Sequence, residues 1–253
     1  MVPPPGSPLA WWCSWPHRFS SMPVGAVFAL SGRLPMPVDQ HPLRSVLSSV
    51  DPVSCPTRLN FHCHSLCSDG SLSPAQIAEQ AAEIGLEHMA VTDHHSADAW
   101  EPMQQRLDEL SQAGHAVPTL WSGCEISCVL ETCLVHVLAL GYDRSHSAIA
   151  PYLQGDAVIG EQLEAAAVVE AIHASSGLAV LAHPARYRLG FKPLMRAASA
   201  LGFDGAECWY DYEMQPQWRP SPLICEHKAA LASDLNLLQS CGTDTHGLSL
   251  KGR

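Results

Sequence analysis

The sequence of 253 residues is poor in charged residues, in lysine and in long apolar runs. Charged residues make up 15% of the chain, and Lys192, Lys228 and Lys251 are its only lysines. The formal net charge of −11 argues against a protein that coats an extended nucleic-acid backbone, because that function needs clustered Lys and Arg. No segment approaches the roughly 20 apolar residues of a membrane-spanning helix, so the sequence predicts no membrane insertion.

The sequence also lacks motifs that would indicate secretion, nucleotide binding or thiolate metal sites. The N-terminus lacks the basic and apolar regions of a secretory signal peptide, so we expect a cytoplasmic protein whose ten cysteines are reduced. No glycine-rich phosphate loop follows the first predicted strand, which argues against an open nucleotide-binding sheet. Thiolate metal sites are not expected, because Cys63 and Cys124 alternate with metal-competent neighbours along their strands and should face the helices.

From about residue 57 the chain alternates between predicted strands and helices. Residues 1–56 are rich in proline and serine and have no periodicity, and we assign them to a disordered or non-native extension. Beyond them, about seven apolar strand segments are mostly separated by helices, the longest predicted over residues 156–175. Such alternation predicts a single α/β domain over residues 57–253, and polar residues at the strand ends favour a barrel over an open sheet.

Histidine is abundant, with fourteen residues against fourteen Lys plus Arg, and histidine is the commonest metal ligand. The informative His, Asp and Glu residues fall mainly where predicted strands end: His62, His64, Asp69, Asp93, His94, Glu125, His136, His183, Asp244 and His246. Strand ends in a β/α barrel converge on one mouth, where active sites are built. Each residue alone would usually be structural, but their joint placement predicts a metal centre. Nitrogen and oxygen ligands suit Zn²⁺, Mn²⁺ or Fe²⁺.

Seven short motifs occur in a fixed order along the chain: HCH (62–64), SDG (68–70), TDH (92–94), GCE (123–125), His136, AHP (182–184) and DTH (244–246). This set, within residues 58–249, resembles the PHP family, named for polymerase and histidinol phosphatase. It most resembles the branch of nucleoside 3′,5′-bisphosphate phosphatases and 5′-to-3′ exoribonucleases. The resemblance implies a distorted (β/α)₇ TIM-like barrel that holds two or three divalent metal ions, Mn²⁺, Fe²⁺ or Zn²⁺.

The resemblance also implies how the ligands divide among the metals. The ligands of a first metal would be His62, His64, Glu125 and Asp244. Those of a second metal would be Asp69, His94 and His246. Those of a third metal would be His136, His183 and a bridging Glu125. Catalytic roles are implied for Glu125, Asp93 and His246, with Asp93 as the partner that orients a metal-binding histidine.

The implied reaction is hydrolysis of a phosphomonoester or short phosphodiester by a metal-activated hydroxide, since bound cations lower the pKa of water from ~15.7 toward ~7. The expected partner is a small phosphorylated substrate, such as a nucleoside 3′,5′-bisphosphate or a short oligonucleotide. Arg186, in a basic run after His183, is the candidate clamp for a substrate phosphate. The aromatic segment 209–212 either stacks a base or packs against the barrel rim.

Other functions remain open at the level of sequence. A histidinol-phosphatase-like enzyme would use the same metal ligands. A metal-dependent amidohydrolase also uses His-x-His on a β/α barrel, but it commonly needs a carbamylated lysine in mid-barrel, where this chain has Glu125. The helical insertion that binds substrate in nucleotide-acting relatives is reduced here, because about 46 residues separate His136 from His183. A non-catalytic metal module and the oligomeric state also stay open.

Overall fold

Capping residues fix the ends of the helices. The Ser73 hydroxyl accepts a hydrogen bond from the Gln76 N–H, and the Gln76 side chain accepts one from the Ser73 N–H. The same helix ends at Gly85, whose φ of 83° is a left-handed conformation that glycine adopts freely. The computed structural model describes residues 38–215 and 217–252. Its α-helices are α1 (Leu43–Leu47), α2 (Pro74–Ile84), α3 (Trp100–Gln112), α4 (Ala165–Ala174), α5 (Phe191–Leu201) and α6 (Pro222–Asp234).

Short, largely buried strands form two sheets. The strands are β1 (Leu59–Asn60), β2 (His88–Ala90), β3 (Thr119–Trp121), β4 (Gly123–Leu130), β5 (Cys133–Leu140), β6 (Leu178–Leu181), β7 (Gly205–Trp209) and β8 (Leu238–Cys241). Strands β1 to β3 make a parallel sheet, and β4 to β8 make a second sheet in chain order. Within the second sheet β5 runs antiparallel to both of its neighbours.

Backbone hydrogen bonds beyond the strand ends join the two sheets into a distorted barrel. On one side the Phe61 N–H donates to the Cys241 carbonyl at 3.0 Å, and on the other the Glu125 N–H donates to the Asp93 carbonyl at 3.1 Å. The α/β barrel predicted from the sequence is therefore confirmed. Eight strands form where about seven were predicted, because the chain after Thr119 is divided at Ser122 into β3 and β4.

The helix predicted over residues 156–175 is shorter than expected. Only α4 forms there, preceded by a 3₁₀ turn at Gly160–Leu163. The physical reason lies in Gly160, whose φ of 66° is outside the right-handed helical region, and in Glu164, whose ψ of 136° makes the backbone extended just before α4. No helix in the described part of the chain is both long and apolar enough to cross a bilayer.

The predicted start of the folded region at residue 57 is too late. Helix α1 lies within the segment assigned to a disordered extension, and its Leu43 and Leu47 are buried in the main apolar core together with Cys55. Arg44 of α1 also forms an ion pair with Asp204 at 3.1 Å. An amphipathic segment of five residues is too short to give a periodic signal, so composition concealed it. The rest of the predicted extension, residues 1–37, lies outside the described residues.

The predicted orientation of the cysteines is confirmed. Cys63 is buried with Ile77 and Ala81 of α2, and Cys124 is buried in the main core. Burial raises the pKa of both thiols, which makes them poor metal ligands. The nine cysteines among the described residues are all free thiols.

Candidate metal centre

The nine predicted metal ligands lie together at one end of the barrel, although the first and the last are 184 positions apart in the sequence. Each has a ligand atom within 3.5 Å of a ligand atom of another member. The members of this cluster are His62, His64, Asp69, His94, Glu125, His136, His183, Asp244 and His246. The convergence on which the metal prediction depended is therefore present.

A fully buried group forms the floor of the cluster. The Nε2 atoms of His62 and His64 each lie 3.2 Å from Glu125 Oε2 and 3.2 Å from Asp244 Oδ1. The two histidines reach the same place because they stand two apart on the extension of β1. This group of four has the same members as the ligand set predicted for the first metal.

A second, more accessible group lies beside the floor. Asp69 Oδ2 is 3.3 Å from His246 Nε2 and 3.8 Å from His94 Nε2, and Asp69 Oδ1 is 3.5 Å from His64 Nδ1. The group contains the three residues predicted for the second metal, with His64 as a fourth member. Asp69 is more than half exposed, so this side of the cluster opens to solvent.

The third group is built around the other oxygen of Glu125. Glu125 Oε1 lies 2.8 Å from His136 Nδ1 and 3.0 Å from His183 Nε2. By mutual distance the compact triad here is His94, Glu125 and His136, so His94 stands between the second and third groups. The division of ligands implied by the resemblance therefore differs from the observed grouping at His94.

Two of the predicted ligands lie inside strands instead of at strand exits. Glu125 is the third residue of β4, and His136 is the fourth residue of β5. The rule that ligands follow parallel strands fails for β5 because this strand runs back from the mouth, so its first half reaches the site. The β4–β5 hairpin, with a turn at Glu131, brings the two ligands together.

Backbone strain and close packing also mark the site. His183 and Asp244 have φ angles of 26° and 50°, which are unfavourable for residues with a Cβ and concentrate at functional sites. A Cβ on Gly242 would lie 2.2 Å from the Cβ of His62. Glycine at this position therefore allows the exit of β8, which carries Asp244, to pass directly against the exit of β1.

Charges within the buried floor shift the pKa values in opposite directions. Burial alone would lower the pKa of His62, but the carboxylates of Glu207, Glu125 and Asp244 raise it well above its usual value. Burial likewise opposes protonation of His64, yet contacts with Asp244 and Glu125 raise its pKa to about 9. Although burial would raise the pKa of Glu125, the surrounding imidazoles hold it well below its usual value. The negative charges of the two floor carboxylates are thus balanced by the positive charges of protonated imidazoles.

At the edge of the cluster, burial outweighs the nearby carboxylates and lowers the pKa of two histidines. Desolvation is the largest influence on His94 and lowers its pKa to about 4, with Glu125 opposing the shift. Burial also lowers the pKa of His183. These two imidazoles are neutral at physiological pH, which is the state in which histidine binds a metal ion.

The donor set fits divalent cations. Ligand atoms around a tetrahedral ion with bonds of about 2.1 Å lie about 3.4 Å apart, close to the 3.2 Å spacings of the floor. His64 Nε2 lies near two carboxylates without hydrogen-bond alignment, and neither nitrogen of His64 has a hydrogen-bond partner within the described residues. Buried polar atoms are rarely left without partners, and a cation ligated by these nitrogens would satisfy them.

A cavity of about 350 Å³ opens above the cluster and includes Arg186 and Tyr187 in its lining. The Arg186 guanidinium donates to Asp244 Oδ2 and to the Tyr210 hydroxyl, both at 3.0 Å. Arg186 thus lies where the sequence placed a phosphate clamp, and its side chain remains 42% exposed.

Tyr210 is fully buried and its hydroxyl donates to Asp244 Oδ2 at 2.5 Å. Tyr210 therefore packs at the rim and has no exposed face on which a base could stack.

Asp93 differs from its predicted role. Its Oδ1 accepts hydrogen bonds from the Ser65 N–H at 2.7 Å and the Ser68 hydroxyl at 2.6 Å, and its Oδ2 accepts from the Ser65 hydroxyl at 2.6 Å. No cluster histidine is among its hydrogen-bond partners in the described ranges. Asp93 shapes the loop that carries Asp69, and the prediction that it orients a metal-binding histidine is corrected.

Sequence reasoning missed two buried charged residues beneath the cluster. Glu207 of β7 and Lys228 of α6 are both fully buried. Glu207 contacts the His62 ring at 3.0 Å, while the Lys228 ammonium donates to the Glu207 carbonyl at 2.9 Å and to the Tyr212 hydroxyl at 2.7 Å. The available signal was a single carboxylate within an otherwise apolar strand, because such a residue is rarely buried without a specific partner.

Comparison with known sequences agrees with the motif analysis. Residues 60–231 match the model of the PHP domain. The chain is 27% identical over 255 residues to the 5′-3′ exoribonuclease Rnm of Escherichia coli strain K12, covering 74% of this chain and 84% of the relative. A 3′,5′-nucleoside bisphosphate phosphatase of Chromobacterium violaceum is 30% identical over 96 residues, covering 38% of this chain and 32% of the relative.

Solved structures share the fold. A protein of Bifidobacterium adolescentis assigned as a metal-dependent phosphoesterase has a TM-score of 0.63 at 22% identity, with 78% of this chain and 90% of that chain covered. An amidohydrolase of Chromobacterium violaceum, with bound sulfate and no metal, has a TM-score of 0.62 at 19% identity, with 77% and 89% covered. At these identities the structures support the barrel architecture alone.

Proposed function

The chain belongs to the PHP domain family, and on this premise we propose that it is a metal-dependent phosphoesterase acting on a small nucleotide, such as a nucleoside 3′,5′-bisphosphate. The observation that carries the proposal is the cluster of nine metal-competent side chains beneath a cavity whose rim holds Arg186. A cavity of about 350 Å³ lies within the range of small-molecule sites.

We propose that the cluster holds two or three divalent ions, with Mn²⁺, Fe²⁺ or Zn²⁺ as candidates from the nitrogen and oxygen donors. The buried floor of His62, His64, Glu125 and Asp244 would hold one ion. The accessible group around Asp69 and the triad of His94, Glu125 and His136 would hold the others, with His183 as a fourth ligand beside the triad. When bound, such ions would neutralise charge on a phosphate and lower the pKa of water at the site.

The protein's own residues supply orientation and charge. The Arg186 guanidinium is held beside the buried cluster by its hydrogen bond to Asp244. Its side chain remains partly exposed, so its other N–H groups can bind a phosphate oxygen. Glu125 presents both carboxylate oxygens to different histidines, which fixes their spacing. His246, one-third exposed and on the open side of the cluster, is the proposed catalytic residue for the leaving oxygen.

The amidohydrolase alternative fits the site less well. Among the three lysines, Lys228 is fully buried and its ammonium is engaged by the Glu207 carbonyl and Tyr212 hydroxyl. Lys192 and Lys251 do not line the cavity above the cluster. The position between the histidines belongs to Glu125, so no lysine is available there for carbamylation.

A second candidate function is 5′-to-3′ removal of nucleotides from short RNA. The relative named as an exoribonuclease aligns with 74% of this chain, which supports the candidate. The negative net charge disfavours extended RNA, because phosphate contacts along a long strand need a basic track. We therefore place the bisphosphate first and restrict the RNA candidate to short oligonucleotides. The cytosol is the proposed compartment, in keeping with the free thiols among the described cysteines.

The decisive experiment joins metal analysis to a substrate panel. Purified protein is analysed for Mn, Fe and Zn and then assayed for phosphate release from nucleoside 3′,5′-bisphosphates, mononucleotides, histidinol phosphate and short 5′-phosphorylated RNA. The proposal expects at least two bound ions and preferred turnover of the bisphosphate. Preference for histidinol phosphate would refute the nucleotide assignment, and turnover that survives complete removal of metal would refute the metal-dependent mechanism.

A further inference from the structure

Glu207 joins two ligand-bearing segments from opposite sides of the barrel. Its Oε1 lies 3.0 Å from His62 Nδ1, at the exit of β1, and its Oε2 accepts a hydrogen bond from the His183 N–H at 2.8 Å, at the exit of β6. Glu207 itself lies in β7 and is fully buried. It belongs to none of the three groups that could hold an ion.

The contact with His62 determines which ring nitrogen is free. A carboxylate only accepts hydrogen bonds, so the Nδ1 of His62 must carry the proton in this pair. The lone pair of the neutral ring is then on Nε2, which is the nitrogen that faces Glu125 and Asp244 at 3.2 Å. A partner of this kind fixes the tautomer and orientation of a metal-binding histidine.

The contact with His183 stabilises an unfavourable backbone. His183 has a φ of 26° and precedes a proline, a combination that costs free energy unless surrounding contacts hold it. The Glu207 carboxylate holds the N–H of this residue, and the resulting turn directs His183 Nε2 to within 3.0 Å of Glu125 Oε1. One side chain thus positions two ligands whose own chain segments are 121 residues apart (183 − 62 = 121).

A purely structural explanation accounts poorly for a carboxylate at this position. Burying a charge is costly unless it is paired, and an apolar side chain would fill the barrel interior without that cost. Within the described residues both Glu207 oxygens are directed at metal-competent histidines, and neither is directed at Lys228, whose ammonium bonds the backbone carbonyl instead. The contacts with His62 and His183 therefore explain why a carboxylate is buried at this position.

We propose that Glu207 is a positioning residue of the metal centre, which fixes the Nε2 of His62 and the turn at His183 for cation binding. This inference rests on the metal centre of the proposed function but not on its substrate. It is tested by metal affinity, which needs no turnover.

The test uses the isosteric variant Glu207→Gln. If the amide oxygen accepts from the His183 N–H, the amide nitrogen donates to His62 Nδ1 and moves the ring proton to Nε2, where it blocks coordination. The opposite amide orientation loses the His183 hydrogen bond. The matched control is Asp211→Asn, because Asp211 is also buried just beyond β7 but, among the described residues, its carboxylate accepts hydrogen bonds only from the Glu213 and Gln215 N–H groups.

Dissociation constants for Zn²⁺ and Mn²⁺ are measured by competition with a chromophoric chelator for wild type and both variants, and thermal unfolding of the metal-free proteins is recorded. We expect Glu207→Gln to weaken binding of the tightest ion by about 10- to 100-fold, while the metal-free variant still unfolds cooperatively with a Tm below that of wild type, because its contacts with His62 and His183 are weakened. We expect Asp211→Asn to bind metal as wild type does. Unchanged affinity in Glu207→Gln, or an equal loss in Asp211→Asn, would overturn the inference.

The outcome separates this inference from the proposed function. Selective loss of metal affinity in a protein that cleaves none of the nucleotides tested would support Glu207 and overturn only the substrate class. A wild-type chain without measurable affinity for either ion would overturn the metal centre and the role of Glu207 together.

Discussion

Glu125 Oε1 lies 2.8 Å from His136 Nδ1 across an antiparallel hairpin, at a diagonal position of the ladder. Glu125 is paired in register with Leu138, and His136 lies two residues before Leu138 in β5, within side-chain reach on the same face. The other carboxylate oxygen faces His62 and His64. A single buried carboxylate therefore links the floor of the cluster to its outer triad.

This link predicts the effect of removing Glu125. In Glu125→Ala five imidazoles lose the carboxylate that they share, so we expect kcat for phosphate release to fall about 100-fold or more, beyond the loss typical of outer partners of metal ligands. Elemental analysis should show fewer bound ions. The control Glu170→Ala alters an exposed carboxylate on α4 and should retain activity. If Glu125→Ala turned over substrate as fast as wild type, Glu125 would have no role in the reaction.

The sequence was sufficient to predict the cluster because polar residues at strand exits stand out against apolar strands. The ligands after parallel strands, such as His183 and Asp244, were found by this rule. The β4–β5 hairpin was not predicted, because its residues read equally well as two strands of either direction. Glu207 was overlooked since its role depends on a contact 145 positions away, and helix α1 because burial of its apolar side chains depends on tertiary packing.

Arg186 gives a prediction that separates binding from chemistry. Arg186→Met removes a charged donor at the rim while preserving an apolar stem, so we expect KM for a bisphosphate to rise about 10-fold, equivalent to roughly 1.4 kcal/mol. The matched control is Arg188→Met, because Arg188 is also exposed but bonds the backbone and hydroxyl of Thr132 on the hairpin turn. Steady-state kinetics decide the matter: an unchanged KM in Arg186→Met would exclude the clamp.

The metal-free protein should lose stability as the pH rises above neutrality. The folded state raises the pKa of His64 from 6.5 to about 9 and that of His62 well above its usual value, so their contribution is fully present below pH 6.5 and is lost as the pH rises toward 9. The folded state binds more protons than the unfolded state in this window. For His64 the loss corresponds to about 3 kcal/mol at 1.36 kcal/mol per pKa unit.

The measurement is chemical or thermal unfolding of chelator-treated protein between pH 6.5 and 9. His94 and His183 oppose the trend only at the lower end of this range, because their lowered pKa values leave them neutral in the folded state and the unfolded-state histidines, with a pKa of 6.5, lose most of their protons by about pH 7.5. His64→Gln should flatten the profile. A stability that stays level or increases over this range in the metal-free wild type would contradict the charge balance described for the floor.

The close contact between Gly242 and His62 predicts that the exits of β1 and β8 must stay close together for the site to form. In Gly242→Ala the new methyl group would lie 2.2 Å from His62 Cβ and 2.6 Å from His62 N, so the two backbones must separate. Overpacking of this kind costs typically 1–3 kcal/mol, and we expect a lower Tm together with weaker metal binding. The control Gly190→Ala places a methyl group 4.0 Å from its nearest neighbour at the start of α5 and should cost below about 1 kcal/mol. Because Asp244 follows Gly242 by two residues, separation of the backbones must also move Asp244 Oδ1 away from His62 Nε2. Differential scanning calorimetry with and without Zn²⁺ measures both effects, and equal Tm values for the two variants would show that the exits tolerate a wider spacing.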